Sequence, residues 1–146
     1  MKAISGSPEA TVDIGYRIGK KLRAGDVVRL YGDLGAGKTT LVKGMARAFG
    51  IESKDITSAS FTIIAEYPGS PSFFHIDLYR ISGGADLEGT GIWDCIGPHS
   101  VSVIEWAEHA EEELPGDSVK VTIQDIGNDM REITVEGPDE KYWDNL

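Results

Sequence analysis

Two glycines five positions apart, followed at once by lysine and threonine, constrain this chain more than any other feature; the run is Gly32-Asp33-Leu34-Gly35-Ala36-Gly37-Lys38-Thr39. Without Cβ atoms such a segment can curl until successive backbone N–H groups converge, and a helix opening at Lys38 aims the positive end of its dipole at the same point. The arrangement is a P-loop, suited to a chain of phosphates. Gly32, Gly35, Ala36 and Gly37 would supply amides, and Lys38 a mobile ammonium. Thr39 would place a hydroxyl where Mg²⁺ on the β- and γ-phosphates needs oxygen, and Thr40 a further donor. Chance would produce the pattern in roughly 1.5% of chains of this length and composition, before its surroundings are considered.

Those surroundings fit. Val27-Val28-Arg29-Leu30-Tyr31 reads as a buried strand ending at the first glycine, and Leu41, Met45 and Ala48 share one side of a helix running from Lys38 to Gly50. Upstream, Ser7-Pro8-Glu9 starts a helix reaching about Ala24, with Ile14, Ile18 and Leu22 on one face. Downstream, residues 62–67 and 72–79 form two strand-like runs around Pro68-Gly69-Ser70-Pro71, which predicts a hairpin and hence a mixed sheet. A short acidic helix is expected over Asp86 to Gly91, a buried strand over Val101 to Ile104, and a helix through Glu113. Val119 to Ile123 and Arg131 to Val135 alternate as antiparallel strands do, with Asn128-Asp129 in the turn and a polar tail to Leu146. The expected class is α/β: a P-loop NTPase-like three-layer fold, a central mixed sheet with helices on both faces and antiparallel strands at the C-terminal end.

With 146 residues, 40% hydrophobic and 26% charged, residues 1–146 are expected to form one nucleotide-binding domain. Fourteen basic against 24 acidic residues leave a net charge of -10, which repels a phosphate backbone. Direct DNA binding is not expected, and any RNA would have to be carried by a more basic partner. Cys95 is the only cysteine, so an internal disulfide is excluded. The N-terminus lacks a secretory apolar run and no stretch approaches a membrane span, so a cytoplasmic location is expected.

A Mg-dependent nucleotide hydrolase also needs a carboxylate at the end of a buried strand. Glu105 follows the Val101 to Ile104 run, and Asp77 lies in Phe73-Phe74-His75-Ile76-Asp77-Leu78-Tyr79; among apolar neighbours an unpaired carboxylate is costly, which argues for a role. A salt bridge to Arg80 is the structural alternative for Asp77. His75 reads as a hydrogen-bonded core histidine, His99 and His109 as surface residues, Glu111-Glu112-Glu113 as a solvated face, and Trp93 and Trp143 as packing or docking aromatics.

Three segments, Gly32 to Thr40, His75-Ile76-Asp77-Leu78-Tyr79-Arg80 and Ile104-Glu105-Trp106, together resemble the TsaE family, also called YjeE, in order and spacing. The resemblance spans residues from about 7 to about 135. It implies ATP hydrolysis with Mg²⁺ in support of a TsaB–TsaD pair that makes N6-threonylcarbamoyladenosine at adenosine 37 of certain tRNAs. By position it assigns Lys38, Thr39 and Thr40 to phosphates and metal, Glu105 to the Mg²⁺ side, Asp77 to hydrolysis or its coupling, and Trp106 to the vicinity of the nucleotide. The adenine would lie toward Pro8 and Thr11 on one side and Arg131 on the other. Two other mechanisms compete: a small-molecule kinase, disfavoured because Arg80 is the only Lys or Arg between Lys54 and Lys120, and a module that binds nucleotide without turnover.

The chain departs from the family in one loop, reading Ser58-Ala59-Ser60-Phe61 where Ser-Pro-Thr-Phe is usual. Ser60 keeps a hydroxyl that could orient water or touch the metal, while the loss of proline removes a stiffening element. Basal hydrolysis is therefore expected to be slow until a partner orders the loop. On this reading Ala59→Pro raises basal phosphate release and slows proteolysis of the loop; unchanged turnover and cleavage would show that loop order does not limit the rate.

Overall fold

Val27–Tyr31 (β2) and Ser100–Glu105 (β5) are rich in β-branched and aliphatic residues, and strands of that kind persist only where both sheet faces are covered. In the computed structural model, which describes residues 1–56, 63–81, 84–144 and 146, they run parallel and adjacent at the middle of a seven-stranded sheet. The others are Lys2–Ser5 (β1), Ile64–Tyr67 (β3), Ser72–Asp77 (β4), Val119–Gly127 (β6) and Met130–Glu136 (β7), in the order β1-β7-β6-β2-β5-β4-β3. The β6-β2-β5-β4 centre is parallel; β3, β7 and β1 add antiparallel edges. The mixed α/β class and the 64–77 hairpin are as the sequence predicts.

Alternation along the central strands sorts their side chains into two cores. Val28, Leu30, Phe73, Val101 and Val103 face helices α1, Pro8–Lys21, and α2, Lys38–Arg47, together with Ile14, Ile18, Leu41 and Met45. Phe74, Ile76 and Ile104 face the opposite side, where the cover is short: helix α3, Gly84–Glu88, and 3-10 turns at Ile92–Asp94 and Ala107–Ala110. Ser7 caps α1 as expected, its hydroxyl accepting from the Ala10 N–H at 3.1 Å. The two long helices touch backbone to backbone: a Cβ on Gly44 would run into the Val12 carbonyl oxygen and lie 2.9 Å from the Gly15 Cα.

Three local expectations are corrected, and one strand is found that the sequence reading did not address. The helix through Glu113 is a single 3-10 turn, because Trp106 takes a left-handed φ of 57° and Arg29 draws the carbonyls of Glu111, Leu114 and Pro115 to itself at 3.1, 2.8 and 2.7 Å. The acidic helix begins at Gly84, two residues before the expected Asp86. The tail is anchored: Glu140–Trp143 (α4) buries Trp143 in the larger core, and the Tyr142 hydroxyl donates to the Lys21 carbonyl at 2.5 Å. Strand β1 carries no alternating pattern to reveal it, with Ile4 half-exposed, yet it pairs along β7 from Lys2↔Thr134 to Ser5↔Arg131. Cys95 is buried.

Since the α1–α2 contact has no room for a methyl group, Gly44→Ala should destabilise the fold by about 1–3 kcal/mol. Urea denaturation reads this as a lower midpoint at unchanged slope; an unchanged midpoint would show that the helices part without cost.

Candidate nucleotide site

Glycine at 32, 35 and 37 answers to particular constraints. A Cβ on Gly32 would lie 2.7 Å from the Ile123 carbonyl oxygen and 2.9 Å from its Cγ2, because β6 runs directly beside the loop. Gly35 and Gly37 take φ of 81° and 107°, backbone that L side chains rarely adopt. Gly37 caps α2 without any side-chain hydrogen bond, and the first helical bond is from the Leu41 N–H to the Gly37 carbonyl at 3.0 Å. The N–H groups of Lys38, Thr39 and Thr40 therefore have no partner within the helix and open onto the loop.

Lys38 is buried, its ammonium donating to the Gly32 carbonyl and lying 3.6 Å from the centre of the Trp106 ring. Burial pushes its pKa below the usual lysine value, and Glu105, Glu108, Asp77 and Asp33 pull it back toward the charged form. Trp106 is held in turn by Tyr79 and His109, with ring centres at 5.1 and 5.8 Å. His109 is tied inward, its Nδ1 donating to the Leu78 carbonyl at 2.7 Å; Glu111 is exposed, as its sequence suggests, and accepts from the Tyr31 hydroxyl at 2.5 Å.

The carboxylates arrive on the neighbouring strands. Ladder pairing sets Leu30 opposite Glu105 and Glu105 opposite Asp77, so both acids stand at the carboxyl ends of β5 and β4, beside the strand that feeds the loop. Strand alternation puts them, with His75, on the face that α2 covers. Glu105 is buried and its Oε2 lies 2.5 Å from the Nε2 of His75; the histidine is a core residue, as its sequence suggests, but its partner is the acid itself. Burial raises the Asp77 pKa, the Tyr79 N–H at 2.9 Å opposes this, Glu105 adds to it, and His75 and Lys38 oppose it.

On the other flank Pro8, Thr11, Gly35, Ala36, Thr40 and Arg131 line one pocket together with Ser7 and Asp129. Arg131 Nε donates to the Ala36 carbonyl at 3.0 Å while its guanidinium meets Asp125 at 3.3 Å, which ties the loop to the β6–β7 hairpin. The Thr11 hydroxyl is engaged within the fold, 2.7 Å from that of Ser5 and donating to the Ser7 carbonyl at 3.2 Å. The structure thus gathers Lys38, Asp77, Glu105 and Trp106 on one side of the cradle and Pro8, Thr11, Thr40 and Arg131 on the other; Thr39 follows Lys38 in the first turn of α2, and Ser60 and its loop lie outside the described residues. Sequence reasoning missed Glu108 and Asp129, which stand in a turn and a hairpin tip that no spacing links to the glycine run.

Comparison with known proteins agrees with this fold. The family model described as "Threonylcarbamoyl adenosine biosynthesis protein TsaE" matches residues 5–133. A protein of Treponema pallidum named tRNA threonylcarbamoyladenosine biosynthesis protein TsaE is 39% identical over 135 residues, covering 92% of this chain and 99% of its own. The Bacillus subtilis protein of the same name is 38% identical, with 93% and 85% covered. The crystal structure of Bacillus subtilis YdiB superposes with a TM-score of 0.76 at 38% identity, covering 98% of this chain and 88% of that one, and its fold is P-loop NTPase-like.

Because the raised pKa of Asp77 lets the folded state hold a proton that the unfolded chain gives up near 3.8, this residue's contribution to stability falls as pH rises through that window. The burial cost is complete above the folded pKa and absent below the unfolded one. Asp77→Asn, which keeps the oxygen facing Tyr79, should raise the urea midpoint of the nucleotide-free protein at pH 7, and the gain should shrink as pH falls through the raised folded pKa and be gone below about 4. A gain of equal size at every pH would contradict it.

Proposed function

The chain belongs to the TsaE family, and from that premise we propose that it is the Mg-dependent ATPase subunit of a tRNA threonylcarbamoyladenosine biosynthesis machinery, acting with a TsaB–TsaD-like pair that holds the tRNA. One observation carries the catalytic part: Asp77 and Glu105 stand in register at the strand ends facing Lys38 and the amides that open α2. Ligands of open α/β sheets bind outside the carboxyl ends of the parallel strands, and the charged groups gather there.

The donor set fits magnesium. Thr39 and Glu105 offer a hydroxyl and a carboxylate, the hard oxygen ligands this ion prefers. Among the described residues no three His, Cys, Asp or Glu side chains cluster to hold a metal by themselves, so phosphate oxygens would complete the shell. When bound, the ion would neutralise charge developing on the phosphate oxygens. Lys38 would leave the Gly32 carbonyl and the Trp106 face for the β- and γ-phosphates. Asp77, its pKa raised by burial, suits the orientation of the attacking water and acceptance of its proton. Ser60 belongs to the same reading as a water-side hydroxyl. The adenine is assigned to the pocket of Pro8, Thr11 and Arg131.

The net charge of -10 supports indirect engagement of tRNA, through partners. No helix among the described residues is long and apolar enough to cross a membrane, which is compatible with work in the cytoplasm. Residues 1–146 would act as one nucleotide-binding domain.

Phosphate release from Mg-ATP, measured with and without the partner pair, tests the proposal. Stimulation by the pair is expected, and Lys38→Ala should lower the stimulated rate on the order of a hundred-fold, the scale of losing one stabilising donor for transition-state charge. Saturable binding without turnover under both conditions would instead make the chain a nucleotide-gated module, and label appearing on an added metabolite would make it a kinase.

A further inference from the structure

The imidazole of His75 is placed where a packing residue would serve at lower cost. Its side chain is 0% exposed and that of Glu105 4%, and Nε2 lies 2.5 Å from Oε2. Nδ1 is buried and has no hydrogen-bond partner among the described residues. An aliphatic side chain among Phe73, Val101 and Val103 would fill the same space and orphan no nitrogen. One protonation pattern minimises the penalty: Nε2–H donates to an ionised Glu105 and Nδ1 keeps a bare lone pair, since an imidazolium would bury an N–H with nothing among the described residues to accept it.

The ladder fixes the direction of that donor. His75 pairs with Val103 and Asp77 with Glu105, so the ring stands one step deeper in the sheet than the carboxylate and reaches it from beneath. A glutamate has three rotatable bonds; a donor from beneath removes most of that freedom and leaves Oε1 as the oxygen that the imidazole does not engage. We infer that His75 is a positioning residue, which locks Glu105 so that Oε1 meets the divalent cation of the bound nucleotide. The inference rests on the reading of Glu105 as the metal-side carboxylate. Hydrogen-bond partners of metal-ligating groups act in this way elsewhere, by orienting the ligand before the metal arrives.

The test compares His75→Leu, His75→Gln and His75→Asn in the full chain. The amide of Gln reaches the level of Nε2, and that of Asn stops at the level of Nδ1. Mn²⁺ affinity is read by electron paramagnetic resonance in the presence of a non-hydrolysable ATP analogue, and affinity for a fluorescent ADP is read in EDTA. His75→Leu and His75→Asn should weaken Mn²⁺ about ten-fold with metal-free ADP affinity unchanged, while His75→Gln stays within about three-fold of wild type. Equal Mn²⁺ affinity across the three variants, or an equal loss with and without metal, overturns the inference. Should His75→Leu fail to fold, the Gln and Asn variants decide: the same affinity in both overturns it. Glu105→Gln separates the two levels. If it leaves Mn²⁺ affinity unchanged, the metal-side reading of Glu105 fails and takes this role with it; if it weakens Mn²⁺ and His75→Leu does not, only the role of His75 falls.

Discussion

Parallel pairing of β2 with β5 and of β5 with β4 holds the molecule's chemistry in place. The register Leu30↔Glu105↔Asp77 makes two carboxylates end level with the strand that runs into the glycine loop. A slip of one residue in either ladder would turn an acid to the opposite sheet face, away from α2 and Lys38. The buried faces of these strands forbid the slip, because it would also turn Val101, Val103 and Phe73, all wholly excluded from water, out of the core they fill against α1 and α2. Core packing and site geometry are thus one constraint.

The same arrangement keeps charge where water is scarce. Lys38, Glu105 and His75 are buried and Asp77 is half-buried, and burial leads the causes that move both Lys38 and Asp77 from their ordinary pKa values. Each group is partly compensated by another: the ammonium by four surrounding acids and the Trp106 face, Glu105 by the imidazole, Asp77 by a backbone N–H. Removing one member of such a set leaves another uncompensated, so the groups act together rather than as separable parts. In a site of low dielectric these charges also act more strongly on a bound phosphate than they would at an open surface.

Much of this was legible beforehand because it rests on local rules. Ser7-Pro8 opened α1, glycine spacing placed the loop, and a β-branched run marked β2, since capping, φ freedom and strand preference are written in adjacent residues. Glu105 and Asp77 stood out because an acid at the end of an apolar run is expensive. What the sequence hid depended on distant partners. The 3-10 turn after Glu105 is dictated by Arg29, some eighty positions earlier, which takes the carbonyls a longer helix would have used. Strand β1 exists because β7 offers it a ladder, and α4 because the core has room for Trp143. The pairing of His75 with Glu105 needed the β4–β5 register, which no single segment contains.

The bond from Arg131 to the Ala36 carbonyl joins two segments 95 residues apart. It turns the β6–β7 hairpin into a strut for the ring of amides, because the carbonyl it grips belongs to the curl that aims those amides. The tip of that hairpin is a tight corner in which Asn128 and Asp129 both take left-handed φ, of 56° and 60°. A body pressing on this corner would lean on the cradle without touching it, and a phosphate seated in the cradle would be felt at the corner, since a strut transmits load both ways.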